Sequence, residues 1–373
     1  MVDRVAAPIR TVELFAGIGG FRLAADSLGL RTVWANDLCP FAAKVYRDRF
    51  GDEELHEGDL QSLAPSVPAH DLLTGGFPCQ PFSAAGKKQG IADPRGTLFA
   101  LIADQLHRLR PAGFVLENVR RLLTMDRGRH FAAILRTIVA AGYRVEWRVL
   151  NAADFSLPQN RYRLMIRGLR DDRLGADDFA ASRGLLGQDS LSAPAMQIAI
   201  ASRSPRPAET ATFLSWGRAD DRGCVTAPPS GFALATKRRT LQEILQQPAE
   251  VGATFDFSES TRRRIADSSP VGRWVDGVEI IANQAGGARM GYTVFGVRGL
   301  SPTLTATTSR HYERYRIGRR YRRLTAIEYA RLQGFDDEHC AAVPLSRRYR
   351  LLGNAVPPPL AAWALSRTIE EIV

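Results

Sequence analysis

Cys79 lies in the run Gly75-Gly76-Phe77-Pro78-Cys79-Gln80-Pro81-Phe82-Ser83, shortly after the apolar pair Leu72-Leu73. Pro78 cannot continue a sheet ladder and fixes its own backbone angle, so the thiol leaves a strand end in a defined direction, on a loop that begins there. An isolated free cysteine is more often a small core residue, but one presented in this way suits a nucleophile. Glu117 ends the buried-strand run Gly113-Phe114-Val115-Leu116-Glu117-Asn118-Val119, a carboxylate where strand becomes loop, for which the plainest role is helix capping. Arg161 and Arg163 alternate with apolar neighbours between Leu157 and Ile166. That alternation predicts both guanidiniums on one face of a strand, where they would want anions. A cysteine, a carboxylate and paired arginines at successive strand ends form a constellation at the edge where α/β sheets bind their ligands.

Such groups need a sheet to hold them. Thr11-Val12-Glu13-Leu14-Phe15-Ala16-Gly17-Ile18-Gly19-Gly20-Phe21 runs from a β-branched and apolar stretch into three glycines, then into a helical pattern from Arg22 to Leu28. This reads as strand, tight turn and helix, the arrangement by which α/β folds approach nucleotide-like ligands with bare backbone and a helix N-terminus. The spacing Gly17-x-Gly19-Gly20 departs from the G-x-G-x-x-G fingerprint, which argues against a nicotinamide-dependent dehydrogenase. A second strand, Thr32 to Ala35, ends at Asn36-Asp37, an acid placed to accept from ribose hydroxyls. Asp59 follows the next αβ unit, where it is placed to read an adenine amino group. The βα rhythm runs from about residue 10 to 168 and then gives way to a Ser-, Pro- and Ala-rich stretch reaching about residue 236, so a domain boundary is expected near 170 to 185. Near the other end, Asn354 to Pro359 stops any preceding element and pre-sets the first turn of a helix from Leu360 to Ile372.

Taken together, the motifs resemble those of the DNA (cytosine-5) methyltransferases of the compact bacterial kind, and the resemblance runs nearly end to end. Phe15 to Gly20 resembles that family's cofactor loop, Gly76-Phe77-Pro78-Cys79-Gln80 its nucleophile loop, Glu117-Asn118-Val119 its base-gripping motif, and Gln159-x-Arg161-x-Arg163 the motif that follows. Arg323-Leu324-Thr325 with Glu328, Ala330 to Phe335, and Gly353-Asn354-Ala355-Val356-Pro357 complete the ordered set. The resemblance implies an α/β chain with a Rossmann-like S-adenosylmethionine-dependent methyltransferase sheet and a second, smaller target recognition domain. The catalytic and cofactor-binding domain would be residues 1–180, completed by 345–373, with target recognition and hinge in 181–344. Catalysis is expected from Cys79, Glu117, Arg161 and Arg163: Cys79 adds to C6 of a flipped-out cytosine, Glu117 engages N3 in its protonated form and Arg163 holds the O2 side. S-adenosylmethionine, leaving as S-adenosylhomocysteine, is expected against Phe15, Ala16, Gly17, Gly19, Gly20, Asp37, Asp59, Pro78, Leu98, Asn354, Ala355 and Val356.

The expected partner is double-stranded DNA. Net charge is +11, and only four of the 50 basic residues are lysines, at Lys44, Lys87, Lys88 and Lys237; an excess of this sign suits a polyanion. Ser83 to Gly96, with Lys87, Lys88 and Arg95, has the composition of a mobile lid that closes on the DNA backbone, and Gln80 and Ser83 would join it. Gly286 to Gly291, carrying Arg289, resembles a recognition loop, and Thr303-Leu304 resembles the signature beside it. From Arg310 to Arg323, arginines including Arg314, Arg320 and Arg322 interleave with Tyr312, Tyr315 and Tyr321, a run expected to contact phosphates. Cys39, Cys79, Cys224 and Cys340 show no C-x-x-C pairing, so no zinc site, other metal centre or disulfide framework is indicated. With no apolar stretch of membrane-spanning length, the expectation is a cytoplasmic, nucleoid-associated bacterial protein, monomeric, with a possible cognate restriction endonuclease.

Other readings meet the same residues. An RNA cytosine methyltransferase shares the layout, but the long basic segment from 180 to 320 argues for duplex DNA. A DNA-binding regulator built on a decayed enzyme should have lost one of Cys79, Glu117 or Arg163, and none is lost. A nicotinamide dehydrogenase gives Cys79 no task.

Overall fold

The computed structural model describes residues 7–78, 98–173, 184–186, 190–191, 193–198, 212–230, 238–284, 292–304 and 313–372. Arg10–Leu14 (β1), Arg31–Asp37 (β2), Leu55–Glu57 (β3), Leu72–Gly76 (β4) and Gly113–Val119 (β5) lie parallel, in the spatial order β3-β2-β1-β4-β5. After β1 the chain builds outward on one side through β2 and β3, then returns to place β4 on the other side. This reversal opens a crevice at the C-terminal ends of β1 and β4, the place where open α/β sheets take ligands. Tyr143–Asn151 (β6) and Tyr162–Arg170 (β7) extend the sheet antiparallel, β7 beside β5.

Both faces are covered, so the inner strands carry apolar residues on both sides and successive side chains enter opposite cores. Phe114 and Leu116 of β5 and Leu73 of β4 share a core with Phe99, Ile102 and Leu106 of the helix Leu98–Leu109 and with Phe131 and Leu135 of Arg129–Ala140. Val115 and Leu72 face the opposite way, into a core with Phe21 and Ala24 of Gly20–Ser27 (α1) and with Leu360, Trp363 and Ala364 of the C-terminal helix Pro358–Ile369. The C-terminal helix therefore seals the first sheet.

A second core gathers around a five-stranded sheet. Ser190–Leu191 (β8) pairs with Pro229–Ser230 (β12) in a small separate ladder, and Met196–Ile198 (β9), Trp216–Ala219 (β10) and Cys224–Ala227 (β11) lie between them in sequence. Ser269–Val275 (β13), Val278–Asn283 (β14), Thr293–Phe295 (β15), Arg314–Ile317 (β16) and Arg320–Arg322 (β17) then make the second sheet in chain order. Asp276 and Gly277 both take positive φ in the tight β13–β14 turn. Ile280, Phe295 and Tyr315 pack with Leu332 of Ala326–Gln333 and with Leu352 of Leu345–Asn354, and this core also receives Ile18 and Val45 from the first unit.

The expected division at residues 180 and 181 is not where the sheets divide. β10 pairs antiparallel with β6, β11 with β10 and β9 with β11, so the first sheet reaches ten strands and extends to Ala227. Strands of three or four residues in a Ser-, Pro- and Ala-rich stretch carry too little periodicity to be seen in sequence. At the far end, the helix Leu345–Asn354 belongs to the second core, and the return to the first unit comes only at Ala355 to Pro358. Among the described residues no helix is long and apolar enough to cross a membrane.

One carboxylate fastens the added strands. Glu146 of β6 is fully buried; it accepts from Arg167 Nε at 2.8 Å, Trp216 Nε1 at 2.7 Å, Arg218 Nε at 3.3 Å and the Leu185 amide at 2.8 Å. Arg167, equally buried, also reaches Glu371 at 2.8 Å and the Arg367 carbonyl at 2.8 Å beyond the sheet. Glu146→Ala would strand that guanidinium without its main counter-charge, and is expected to lower the unfolding free energy by about 3–5 kcal/mol. The readout is the urea midpoint at unchanged slope; an unaltered midpoint would show that Glu146 does not hold the extension.

Candidate active site

The crevice at the β1–β4 switch is a cavity of about 950 Å³. Its floor is the turn after β1. Phe15 adopts φ 54° and Gly17 φ 58°, left-handed values that are uncommon and strained for a phenylalanine. The turn is held by Ala16 N donating to the Asn36 carbonyl at 2.8 Å and by Gly17 N donating to Asp37 Oδ2 at 2.7 Å. Asp37 Oδ1 accepts from Cys39 N at 2.7 Å, which fixes the entry to the helix Pro40–Phe50. Burial raises the Asp37 pKa, and the hydrogen bonds from Cys39 and Gly17 oppose that rise. Each oxygen keeps a second lone pair for a hydroxyl. Asp59 spends one oxygen capping Leu60–Leu63 through Gln61 N at 3.0 Å.

Of the expected cofactor residues, Phe15, Ala16, Gly17, Gly20, Asp37, Asp59, Pro78, Leu98, Asn354, Ala355 and Val356 line this cavity. Gly19 does not. A Cβ on Gly19 would lie 2.2 Å from the Phe50 ring, and its φ of 82° is left-handed, so glycine is required there by packing and by the turn into α1. Gly20 has a different neighbour: a Cβ there would stand 2.2 Å from the Val356 carbonyl oxygen. The end of the chain thus closes directly on the first turn.

The sequence reading missed several wall residues. Leu38, 67% exposed, and Phe41 form an apolar side, with the Arg347 guanidinium 4.4 Å over the Phe41 ring. Leu38 follows the strand-end acid directly, a position that could have flagged it. Glu13, buried, accepts from the Tyr46 hydroxyl at 3.2 Å. Burial pushes its pKa up to about 8, against the Tyr46 hydrogen bond and the charge of Arg22. Arg347 and Arg350 reach the cavity from Leu345–Asn354 and had no motif to mark them.

Glu117 and Arg163 stand together on the cavity wall. Val119 is opposite Arg163 in the β5–β7 register, so Glu117, two residues back on the same face, lies diagonal to Arg163. Arg163 Nε is 2.8 Å from Glu117 Oε1, and both are at least nine-tenths buried. Burial raises the Glu117 pKa; Arg163 and Arg161 pull it back without cancelling the rise. Asn118, next in line, donates through Nδ2 to the Phe77 carbonyl at 2.9 Å and ties β5 to the segment that leads into Cys79. Cys79 itself lies outside the described residues, as do Gln80, Ser83, Lys87, Lys88, Arg95 and Arg289.

Other expected roles are corrected by what the side chains touch. Arg161 does not line the cavity with Arg163. It is fully buried and donates to the carbonyls of Gly353 at 2.9 Å, Ala355 at 3.1 Å and Leu304 at 3.4 Å, so it serves as a strut. Leu304, expected at the DNA, is buried in the second core, and Thr303 donates its hydroxyl to the Asn160 carbonyl at 2.6 Å. Arg322 is buried in a two-pronged pair with Glu328, both contacts at 2.7 Å, and so has no reach to a phosphate. Arg320 is held by Asp256 at 2.9 Å and the Val251 carbonyl at 3.1 Å. A run of arginines reads as a free charged face until the acids that take them are known.

A sequence profile described as C-5 cytosine-specific DNA methylase matches residues 9–370. The chain is 32% identical over 381 residues to the Type II methyltransferase M1.ScrFI of Lactococcus lactis subsp. cremoris, covering 99% of this chain and 80% of that protein. It is 46% identical over 164 residues to the Type II methyltransferase M.NgoBI of Neisseria gonorrhoeae. That match covers 44% of this chain and 51% of M.NgoBI, so the chain spans about half the length of that relative. The crystal structure of the S. pombe Dnmt2 methyltransferase has the same fold, with a TM-score of 0.63 at 19% identity, covering 97% of this chain and 98% of that one.

Arg161 supplies the first test of the site's construction. Arg161→Met leaves three buried carbonyls short of a donor and is expected to destabilise the protein by about 1–3 kcal/mol. Arg161→Lys should recover little of the loss, since an ammonium cannot present the same planar fork. Denaturant unfolding of both variants is the measurement, and full recovery by lysine would mean that charge alone, not the fork, is what the position uses.

Proposed function

Since the chain belongs to the C-5 cytosine-specific DNA methylase family, we propose that it transfers a methyl group from S-adenosylmethionine to C5 of a cytosine in double-stranded DNA. The observation that carries this reading is the buried Glu117–Arg163 pair on the wall of the β1–β4 cavity, beside the segment that leads into Cys79.

The cavity suits the cofactor. Its volume lies within the range for small-molecule sites; Leu38 and Phe41 offer an apolar side for adenine, Asp37 has lone pairs left for ribose hydroxyls, and Asp59 is in reach as an acceptor for an amino group. Asn354 to Val356 would close the pocket over it. When bound, the cofactor supplies a methyl on a sulfonium, an electrophile that unactivated cytosine C5 is too poor a nucleophile to take.

Activation is the task of the chain's own residues. The Cys79 thiolate adds to C6, which breaks the C5–C6 π bond and leaves an enamine-like ring with its electron density at C5. Glu117, whose pKa burial raises, is placed to share a proton with N3 as charge develops there. Arg163 keeps Glu117 oriented and faces the O2 side. Once C5 carries the methyl, with S-adenosylhomocysteine as the leaving group, loss of the C5 proton to a base would re-form the double bond and expel Cys79. C6 is out of reach in a stacked duplex, so the target base must be flipped out. The relatives named Type II methyltransferases support a place in a restriction-modification system; a monomeric enzyme acting on the nucleoid, with a cognate restriction endonuclease as its partner, is the arrangement proposed with it.

Bisulfite sequencing of DNA from cells expressing the protein tests the reaction and reads out its target. Cys79→Ala should abolish transfer while leaving cofactor and DNA affinity within about tenfold. On duplexes carrying 5-fluorocytosine at the target, elimination cannot occur, and an adduct stable to denaturing electrophoresis is expected with the parent protein only. Normal turnover by Cys79→Ala would refute the mechanism. Asp37→Ala should weaken S-adenosylmethionine binding by about 1.5–3 kcal/mol, measured by calorimetry without DNA; an unchanged dissociation constant would remove Asp37 from the ribose.

A further inference from the structure

The loop after β1 strings together left-handed conformations and has little of its own to keep them. Phe15, Gly17 and Gly19 all take positive φ, and Gly17, Gly19 and Gly20 surround Ile18. Glycine opposes neither sign of φ, so the peptide that joins Ile18 to Gly19 can turn unless both its ends are held. Its amide end is held within the loop, where Gly19 N donates to the Ala16 carbonyl at 3.0 Å. Its carbonyl end is held from the other core. His339 Nε2 lies 2.7 Å from the Ile18 carbonyl oxygen, although the two residues are 321 positions apart in the chain.

His339 stands in the turn after the helix Ala326–Gln333 and sees no solvent. The Phe335 ring is tilted against the imidazole with 4.5 Å between centroids, and the Phe50 ring meets it edge-on at 6.2 Å. Phe50 is the same ring that packs against Gly19. Asp336 pairs with Arg49, so the turn that carries His339 is moored to the residue beside that ring. A carbonyl only accepts, which puts the proton on Nε2 and leaves Nδ1 with a lone pair. Nδ1 is buried and has no hydrogen-bond partner among the described residues; Asp336 Oδ2, 3.9 Å away, is itself an acceptor. Burial lowers the His339 pKa, against the Ile18 carbonyl and Asp336, and so favours the neutral ring. A buried nitrogen left without a partner costs free energy. A phenylalanine would fill the space without that cost. What the imidazole adds is one donor, and the fold spends it on the loop after β1.

We propose that His339 is a positioning residue for the cofactor, fixing the Ile18–Gly19 peptide so that the loop after β1 holds its binding shape before the ligand arrives. This rests on the reading of the β1–β4 cavity, which Ile18 lines, as the S-adenosylmethionine site. It adds that the second core, where Ile18 also packs, helps to set the affinity of that site. Without the donor, the loop becomes a mixture of peptide orientations, and affinity falls with the fraction that can bind.

Two substitutions separate the donor from the packing. His339→Phe keeps a ring and removes the donor; His339→Gln removes the ring and keeps a donor of similar reach. Calorimetry without DNA should show S-adenosylmethionine binding weakened about tenfold in His339→Phe, as when the competent fraction falls to about a tenth. His339→Gln should stay within about threefold of the parent. In methylation assays the KM for S-adenosylmethionine should rise in His339→Phe with the dissociation constant, while the KM for DNA keeps its parental value. Amide hydrogen exchange in the cofactor-free protein should quicken at Gly17 and Gly19 in His339→Phe and stay parental along β1. A residue that only packs gives the opposite order, with His339→Phe binding as the parent does and His339→Gln binding worse. Either that order or equal losses in the two variants would overturn the proposal. Should His339→Phe fail to fold, the parent decides: nitrogen NMR of the histidine rings is expected to place the His339 proton on Nε2, and a proton on Nδ1 instead overturns the proposal. If the parent binds S-adenosylmethionine and His339→Phe binds it equally well, this inference alone fails; if the parent binds none, the reading beneath it fails first.

Discussion

Three distant stretches of chain meet at the turn from Leu157 to Arg163, and their meeting depends on hydrogen bonds from side chains that see no solvent. Arg161 donates to carbonyls at Leu304, Gly353 and Ala355. Gln159, also fully buried, donates to the Leu332 carbonyl at 3.2 Å and accepts from Leu304 N at 3.4 Å. The Ser301 carbonyl accepts from Asn160 N at 2.8 Å, and Ser301 N donates to the Pro158 carbonyl at 2.8 Å, across the same joint. Irregular backbone can lie at the centre of a protein only if each polar group finds a partner, and here two long polar side chains meet that demand. The two cores are thereby fixed relative to each other at the point where β7 begins.

The same turn sets the electrostatics of the cavity. Arg161 and Arg163 lie near a single carboxylate, Glu117, and only Arg163 pairs with it directly. Were both arginines paired with it, the acid would be held ionised. Instead burial dominates, and Arg161 turns its donors to carbonyl dipoles. The outcome is a carboxyl group whose pKa burial raises although a cation stands beside it.

Much of this was legible in the chain itself. The turn after β1 and the acid Asp37 are local features, fixed by a few adjacent residues, and the sequence shows them directly. Gly19 illustrates the limit: a glycine kept for a ligand and one kept for the Phe50 ring look alike until the helix Pro40–Phe50 is in place. Alternation suggested equal roles for Arg161 and Arg163, but periodicity gives a face and not a partner. The partners of Arg161 lie more than 140 residues away. Arg322 is harder to excuse, since Glu328 follows it by six residues as the capping-box acid of the helix Ala326–Gln333. The short strands β9 to β11 were invisible because three or four residues do not establish a period.

The contact between Gly20 and Val356 has a consequence for how the molecule comes into being. Residues more than 330 positions apart meet in the lining of one pocket, so the pocket is not complete while the chain is still being translated through its second half. The first sheet can assemble early, but one of its faces stays uncovered until Pro358–Ile369 arrives. Chains leave the ribosome N-terminus first at about 5–20 residues per second, so that apolar face waits on the order of ten seconds or more for its cover. A newly made molecule therefore keeps an apolar face exposed to aggregation until its last helix arrives, and the same arrival completes the pocket.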